Sequence, residues 1–492
     1  MCYLCSAKRK YQFYYIVKEM KKKLFVTAAM AVCAGSAMAG GLLTNTNQNA
    51  VFLRNPARDA VIAIDGVYSN PAGVAFLPQG FHLSLSWQGA FQKRQITSNA
   101  PFYPLNTENP KGEHFFEGKS VAPVIPSFQA AYVINDKWSV SAQFAVGGGG
   151  GKCEFDNGLP MFEKLVGAQL NNTVNGGFKP YSLNQSLTGE QYFYGVQIGG
   201  TYKITDMVSV FGGLRGVIAR SGYTGAIRNI TLDGKNSAYY AQASLDAANA
   251  AKMYQAAGDM AAAGMYADLA QKAGTASYVM QDLVLDCDQS AFGVTPILGV
   301  DVNLGKLNLA AKYEFRTKIN FENESNNSEN LAALATQVPA VAVYADGAKV
   351  RSDIPALLTF GAQYSILKNL RAMGGFHYYF DKDAKGSATD VEKNTWEVTF
   401  GAEYDVNNWL TVSAGGQRTK YNFGEKIQDT NFNISSTALC LGASFHVSKM
   451  VNINAGYMHS FYNDYLLDSG NGMTDLYTRK NDTFGVSVDL KF

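Results

Sequence analysis

The chain has 492 residues, with 42 basic against 40 acidic side chains for a formal net charge of +2 and only 17% charged residues. So balanced a charge gives no footprint for nucleic acid, and no run beyond the N-terminal leader is apolar enough for a transmembrane helix, which excludes a helical membrane protein. Aromatic residues at 12%, with 28 Tyr and 29 Phe, and glycine at 48 residues suit a transmembrane β-barrel with interfacial aromatic belts better than any enzyme.

The first element is a leader. Met20-Lys21-Lys22-Lys23 is a positive n-region, Leu24 to Ala34 an apolar core, and Ala37-Met38-Ala39 a small-x-small cleavage site. Cleavage after Ala39 starts the mature protein at Gly40. Residues 1–19 read as an upstream extension, from an early start codon or a long n-region. Cys33 follows Val32, a poor fit to a lipobox, so lipidation is disfavoured.

Residues 40–80 show no clean alternation and carry the turn-forming pair Asn-Pro twice, in Asn55-Pro56-Ala57 and Asn70-Pro71-Ala72. They are expected to form a compact irregular segment. From residue 81 the chain alternates with a period of two. Phe81, Leu83, Leu85 and Trp87 oppose His82, Ser84, Ser86 and Gln88; Trp396, Val398, Phe400, Ala402 and Tyr404 oppose Glu397, Thr399, Gly401 and Glu403. The last stretch sets Phe484, Val486, Val488, Leu490 and Phe492 against Ser487, Asp489 and Lys491. Fourteen such strands are expected near 81–94, 127–134, 138–147, 191–203, 207–222, 291–303, 307–318, 354–365, 370–380, 395–406, 409–421, 435–447, 450–462 and 482–492.

The connections alternate short and long. Asn135-Asp136, Thr205-Asp206, Leu304-Gly305, Lys368-Asn369, Asn407-Asn408 and Ser448-Lys449 close tight hairpins, and the rest are long and polar. Lipid offers backbone groups no hydrogen bonds, so a membrane sheet must close with its apolar face outward. Short turns are periplasmic and long loops external in such barrels, which puts both termini of the barrel on the periplasmic side. The longest loop, about 223–290, holds an alanine-rich run from Tyr239 to Ala273, expected as two helices broken at Gly258 and Gly264. Its Met253, Met260, Met265 and Tyr266 either form an adaptable apolar groove or pack the loop on the rim.

Small barrels are filled by their own side chains and much larger ones enclose a channel. Fourteen strands lie between and leave a lumen to be plugged, which makes residues 40–80 a candidate hatch. The inward parity carries Arg215, Lys312, Glu314, Arg316, Arg371, His377, Glu397 and Glu403. A carboxylate ligand needs a cation, so Arg215, Lys312 and Arg316 are the candidate head-group residues; the alternative is a salt-bridge network joining hatch to wall. Cys153 and Cys287 fall in expected external loops, where they either pair or stay free; Cys440 is the third cysteine after processing. Ser444 and His446 share an inward face, yet nothing orients them for hydrolysis. No zinc-spaced cluster or phosphate loop is present, so no metal, cofactor or catalytic residue is assigned.

With these residues in hand, the chain resembles the FadL/TodX family of outer-membrane transporters of long-chain fatty acids and other hydrophobic compounds. The match rests on the leader, the plug-sized segment with Asn70-Pro71-Ala72, the fourteen strands, Pro123 and Pro126 before strand two, Asn135-Asp136, and Pro355 to Tyr364 of strand eight. The resemblance implies a monomeric 14-stranded outer-membrane barrel (residues 81–492) with an N-terminal hatch in its lumen. It further implies capture of a hydrophobic small molecule at the outer loops, an internal pocket, and sideways release into outer-membrane lipid at a kink in strand three. Ala145, Val146, Gly147, Gly148 and Gly149 are the candidate opening, because the glycine run weakens pairing and permits a bulge. Aromatic-hydrocarbon uptake in the same fold, a general diffusion porin, and a structural or adhesive barrel are the rival readings.

Overall fold

A computed structural model describes residues 41–492 apart from 336–338, 387–390, 425–426, 428 and 430–432. The leader, its cleavage site and Gly40 lie outside the described residues. All strands belong to one antiparallel sheet of seventeen ladder segments. Three of these are short pieces of the external loops, Asn320–Ser325, Lys349–Arg351 and Tyr465–Gly470. The other fourteen are β1 (Gly80–Asn99), β2 (Glu113–Val133), β3 (Trp138–Phe155), β4 (Tyr181–Lys203), β5 (Val208–Leu232), β6 (Leu283–Asn303) and β7 (Leu307–Glu314), followed by β8 (Leu357–Leu367), β9 (Leu370–Tyr379), β10 (Trp396–Asn407), β11 (Leu410–Lys420), β12 (Ser436–His446), β13 (Val451–Tyr462) and β14 (Met473–Lys491). Each pairs with its successor, and β14 returns to β1 from His82↔Lys491 to Asn99↔Thr474, closing the barrel.

The exposed face is the apolar one. On β10, Val398, Phe400 and Tyr404 are exposed while Glu397 and Glu403 are buried; on β1, Leu85 is exposed while Ser84 and Gln88 are buried. This inverts a soluble sheet and is what a hydrocarbon surround demands. Among the described residues no helix is long and apolar enough to cross a membrane.

Seven strands run further than their alternation suggests: β1, β3 and β5 at their C-terminal ends, β2, β4, β6 and β14 at their N-terminal ends. All seven extensions lie on the long-loop side. There the outer face leaves lipid for water, so the ladder continues without the apolar signature that marks it elsewhere. Cys153 and Cys287 consequently lie in β3 and β6 rather than in loops, and both are free. The register runs Cys153↔Gly189, Gly189↔Tyr223 and Tyr223↔Cys287. Three strand spacings put the thiols roughly 14 Å apart along the wall, and a disulfide needs Cα atoms within about 7 Å.

The long loop folds into two helices, Ser237–Ala256 and Met260–Val279. Gly258, with φ of +83°, makes the turn between them. Gly264 is no breaker: it lies within the second helix.

Candidate functional site

Residues 41–77 run inside the barrel and are almost wholly buried. They bond to inward-facing groups around the whole circumference. Asn49 Nδ2 donates to Ser84 Oγ at 3.0 Å and Gln129 Oε1 at 2.8 Å. Across the lumen Arg54 and Arg58 both reach Glu403 on β10, at 3.0 Å each. Asp59 meets His377 of β9 at 3.0 Å, and the other ring nitrogen of His377 meets Glu397 at 3.0 Å. Burial alone would lower the Arg58 pKa; Asp65, bidentate at 2.7 and 2.8 Å, and Glu403 override it and hold the guanidinium above its ordinary value.

Inward glycines of β8 to β14 let this segment lie directly on the wall. A Cβ on Gly361 would stand 2.6 Å from Ala60 N, and one on Gly456 2.7 Å from Arg54 N. Gly401, Gly442 and Gly485 face Asn55, Arg54 and Ala50 in the same way. These glycines are close-approach positions, and their sequence signal is an inward-parity glycine in strand after strand, of which the alternation of residues 396–404 singles out only Gly401.

Asn70, Pro71 and Ala72, which the hatch reading expects to pack near the strand-three kink, anchor the segment elsewhere. The Asn70 carbonyl-side oxygen caps the 3-10 helix Pro71–Phe76, and its Nδ2 donates to Asp301 at 2.5 Å. The Pro71 and Ala72 carbonyls accept from Thr201 and Ser209 at 3.0 and 2.7 Å. The motif therefore binds near the short-turn ends of β4 to β6, away from the β3 bulge, held there by Asp301, Thr201 and Ser209. Leu43 and Asn45 are what reach the bulge.

At that bulge the wall is interrupted. β2 pairs with β3 from Gly118↔Phe155 to Ser120↔Cys153, and pairing resumes only at Ser127↔Ala145. On the other side, the β3–β4 ladder shifts between Val146 and Gly148 and again between Gly148 and Gly151. Gly149 and Gly151 have φ of +89° and +71°, open only to glycine without strain. The freed carbonyls are taken by the interior: Asn45 N donates to Gly147 O at 3.0 Å and Ser120 Oγ to Gly150 O at 3.2 Å. A Cβ on Gly148 would run into the Leu43 carbonyl. Ala90 and Ile125, with Ala122 and Val146 against them, plug the gap with apolar groups. Pro123 and Pro126 lie inside β2, not before it; proline donates no ladder bond, and they occupy the stretch where β2 lacks a partner on the β3 side.

The three candidate cations separate. Arg215 is buried, forks onto Gln197 at 3.2 and 2.8 Å, and meets Glu314 at 2.5 Å. Lys312 bonds Glu314 at 2.7 Å and the Tyr68 carbonyl at 2.8 Å, with its ammonium 3.9 Å from the Tyr68 ring centre. Arg316 is not with them. Regular β7 pairing ends at Glu314, the inward parity is lost, and Arg316 sits one-third exposed beside Asp353 at 3.7 Å. A small cavity joins Arg215 and Glu314 to Thr44, Phe193, Pro355 and the bulge residue Gly147.

Above this level a second buried network holds the outer loops. Glu163 accepts from Asn106, Tyr181 and His114 at 2.7 to 2.8 Å. Asp429 accepts from Met161 N at 2.9 Å and Tyr477 OH at 2.6 Å; burial pushes its carboxyl up to about 6, with the neighbouring Asp475 adding to the shift. Ser444 and His446 form no catalytic pair, since the ring nitrogens of His446 meet Thr411 and Asn452 at 2.9 Å. No cluster of metal-ligating groups occurs among the described residues.

An apolar outer wall, a lumen occupied by residues 41–77 and a local break in strand pairing define a closed transmembrane β-barrel with a filled interior. The fold is that of the FadL-type channels. The chain superposes on the crystal structure of a Pseudomonas aeruginosa FadL homologue with a TM-score of 0.59 at 13% identity, covering 92% of this chain and 100% of that one. It superposes on the Ralstonia pickettii toluene transporter TbuX with a TM-score of 0.52 at 14% identity (90% and 98%), and on the P. putida toluene transporter TodX with 0.51 at 15% (87% and 94%). No protein-family profile and no curated protein matches the sequence.

Proposed function

We propose that this protein carries long-chain fatty acids or similar hydrophobic compounds across the outer membrane of a Gram-negative bacterium, reaching it as a monomer after loss of the leader at Ala39. The observation that carries the reading is the missing β2–β3 pairing between Ser120 and Ser127, beside the glycine bulge. It offers a ligand a route from lumen to lipid. Each buried methylene is worth about 0.8 kcal/mol against water, so a sixteen-carbon tail forced into the periplasm faces a cost of roughly 10 kcal/mol. Sideways release through Ala145 to Gly149 avoids that step.

Capture falls to the outer helical hairpin, where Met253, Met260 and Met265 are 73%, 66% and 62% exposed. The carboxylate then meets Arg215, whose cavity of about 20 Å³ holds little more than a water and has to widen to admit it. Residues 41–79 act as the hatch and oppose a porin reading. A second reading, uptake of monoaromatic hydrocarbons, draws on the toluene transporters of the same fold; an uncharged ligand would leave Arg215 purely structural. A disulfide tests the route. The ideal Cβ of Gly151 lies 3.7 Å from Ala122 Cβ, close to the roughly 3.8 Å of a disulfide. Ala122→Cys with Gly151→Cys is expected to stop uptake when oxidised and restore it on reduction, the reduced form controlling for the strain of a side chain at the +71° φ of residue 151. Undiminished uptake with the bridge closed would send the ligand through the barrel floor.

A further inference from the structure

The lipid-facing wall of β2 to β5 is not flat. Near the short-turn end it carries a groove of about 610 Å³ bordered by Phe81, Tyr132, Val140, Ile198 and Leu214. Its floor contains the cross-strand pair Gly200↔Gly212. The neighbouring pair Gly199↔Gly213 has a plain packing reason: side chains there would collide with the Phe211 ring, which packs inside against Ala72 and Ile297. Gly200 and Gly212 have none. A Cβ on Gly212 meets nothing within 4 Å, one on Gly200 meets only Ser139 O at 4.0 Å, and neither residue has a positive φ. Space has been left on the membrane side where any apolar side chain would fit.

We propose that this groove seats one acyl chain of a phospholipid from the leaflet on the short-turn side. The volume lies within the range of small-molecule sites, about 300–1,000 Å³, and apart from the buried Ser141 the lining is glycine, apolar or aromatic. Two ladder positions below Val140↔Gly200, the Trp138 and Tyr202 rings pack at 4.6 Å between centroids on the same outer face. Such a pair marks the membrane interface, so the groove opens just inside the head-group level. The wall break is farther off: Val146 pairs with Tyr194, six residues along β4 from Gly200, or roughly 20 Å at strand rise. A chain anchored at the near interface therefore fills the groove more directly than a ligand leaving the gap. The inference rests on the barrel standing in a bilayer, not on the uptake reading.

The whole barrel, reconstituted in dioleoylphosphatidylethanolamine vesicles containing oleate and extracted in mild detergent, would be weighed by native mass spectrometry. Wild type is expected to retain one phospholipid. The Gly200→Leu/Gly212→Leu variant is expected to retain none while keeping the heat-modifiable migration of a folded barrel. Gly212→Val alone, for which the wall has open space, gives the same readout should the double variant fail to fold. Wild type without bound lipid, or equal retention in wild type and a folded variant, overturns the proposal. An oleate adduct in place of phospholipid also overturns it, by making the groove a ligand site.

Discussion

Lys312 Nζ lies 3.9 Å from the centre of the Tyr68 ring and also donates to the Tyr68 carbonyl at 2.8 Å, so one β7 cation grips one residue of the inner segment twice. The Tyr68 hydroxyl plays no part in this; it is buried without a hydrogen-bond partner. Tyr68→Phe is therefore expected to leave stability unchanged or slightly raised. Lys312→Met removes both grips and should cost about 2 kcal/mol, the scale of a desolvated cation–π contact. Urea melts monitored on the inner segment distinguish the two; no loss in Lys312→Met would mean the grip on Tyr68 contributes nothing.

Deleting residues 42–70 removes the ion pairs to Glu403 and His377 and empties the lumen. In planar bilayers the intact protein is expected to be silent and the deletion to conduct ions steadily. Unchanged conductance in a folded deletion would refute the plug.

Arg215→Met keeps much of the side-chain volume and removes the charge. Per folded molecule, fatty-acid binding should weaken at least about tenfold, on the order of 1.4 kcal/mol, while binding of an alkane of equal length should hold. Arg316→Met, off the inward face, should alter neither. Matching losses of acid and alkane would make Arg215 part of the wall network alone.

Asp429 gives a pH dependence. Its carboxyl titrates near 6 in the folded loop and near about 3.9 when free. The docked state thus binds the proton more tightly between those values, so docking strengthens as pH falls from about 6 towards 4 and weakens as pH rises through 6. Asp475, Lys164 and Tyr477 are the other polar groups facing it. Hydrogen-exchange protection of the Met161 amide, which donates to Asp429, should be greater at pH 5 than at pH 7.5, and Asp429→Asn should flatten the difference. A protection factor that ignores pH in the wild type would refute the assignment.

Period-two alternation made the strands legible because lipid on one side and the packed interior on the other sort side chains at every second residue. Where β1 to β6 and β14 rise out of the membrane the sorting stops, and so did the reading. The inward direction of Arg215, Lys312 and Glu397 followed from parity alone. The inner-segment partners of Lys312 and of the inward-facing His377 did not, since Tyr68 and Asp59 lie hundreds of residues away and no local pattern pairs them. Arg316 was misplaced for the complementary reason: β7 leaves regular geometry at Glu314, and parity carries no further than the ladder. The glycine run of β3 showed where the wall weakens, but Pro123 and Pro126 spoke for the same place and were read as a strand boundary.

The seam between the first and last strands has a consequence for assembly. Gly80 packs so tightly on Phe492 that a Cβ would strike its carbonyl oxygen, and Phe81 and Phe492 exchange hydrogen bonds of 3.1 and 2.8 Å. Residues 41–79 emerge from the N-terminal side of this join, yet bond to strands on the opposite arc. Once the join forms, those residues have no lateral way in. A segment docked before the join enters sideways, whereas one docked afterwards has to thread in from the short-turn end, where it meets β1 at Gly80. Slowing the docking of Arg54 or Arg58 on Glu403 separates the two orders: it delays closure in the first and leaves closure unchanged in the second.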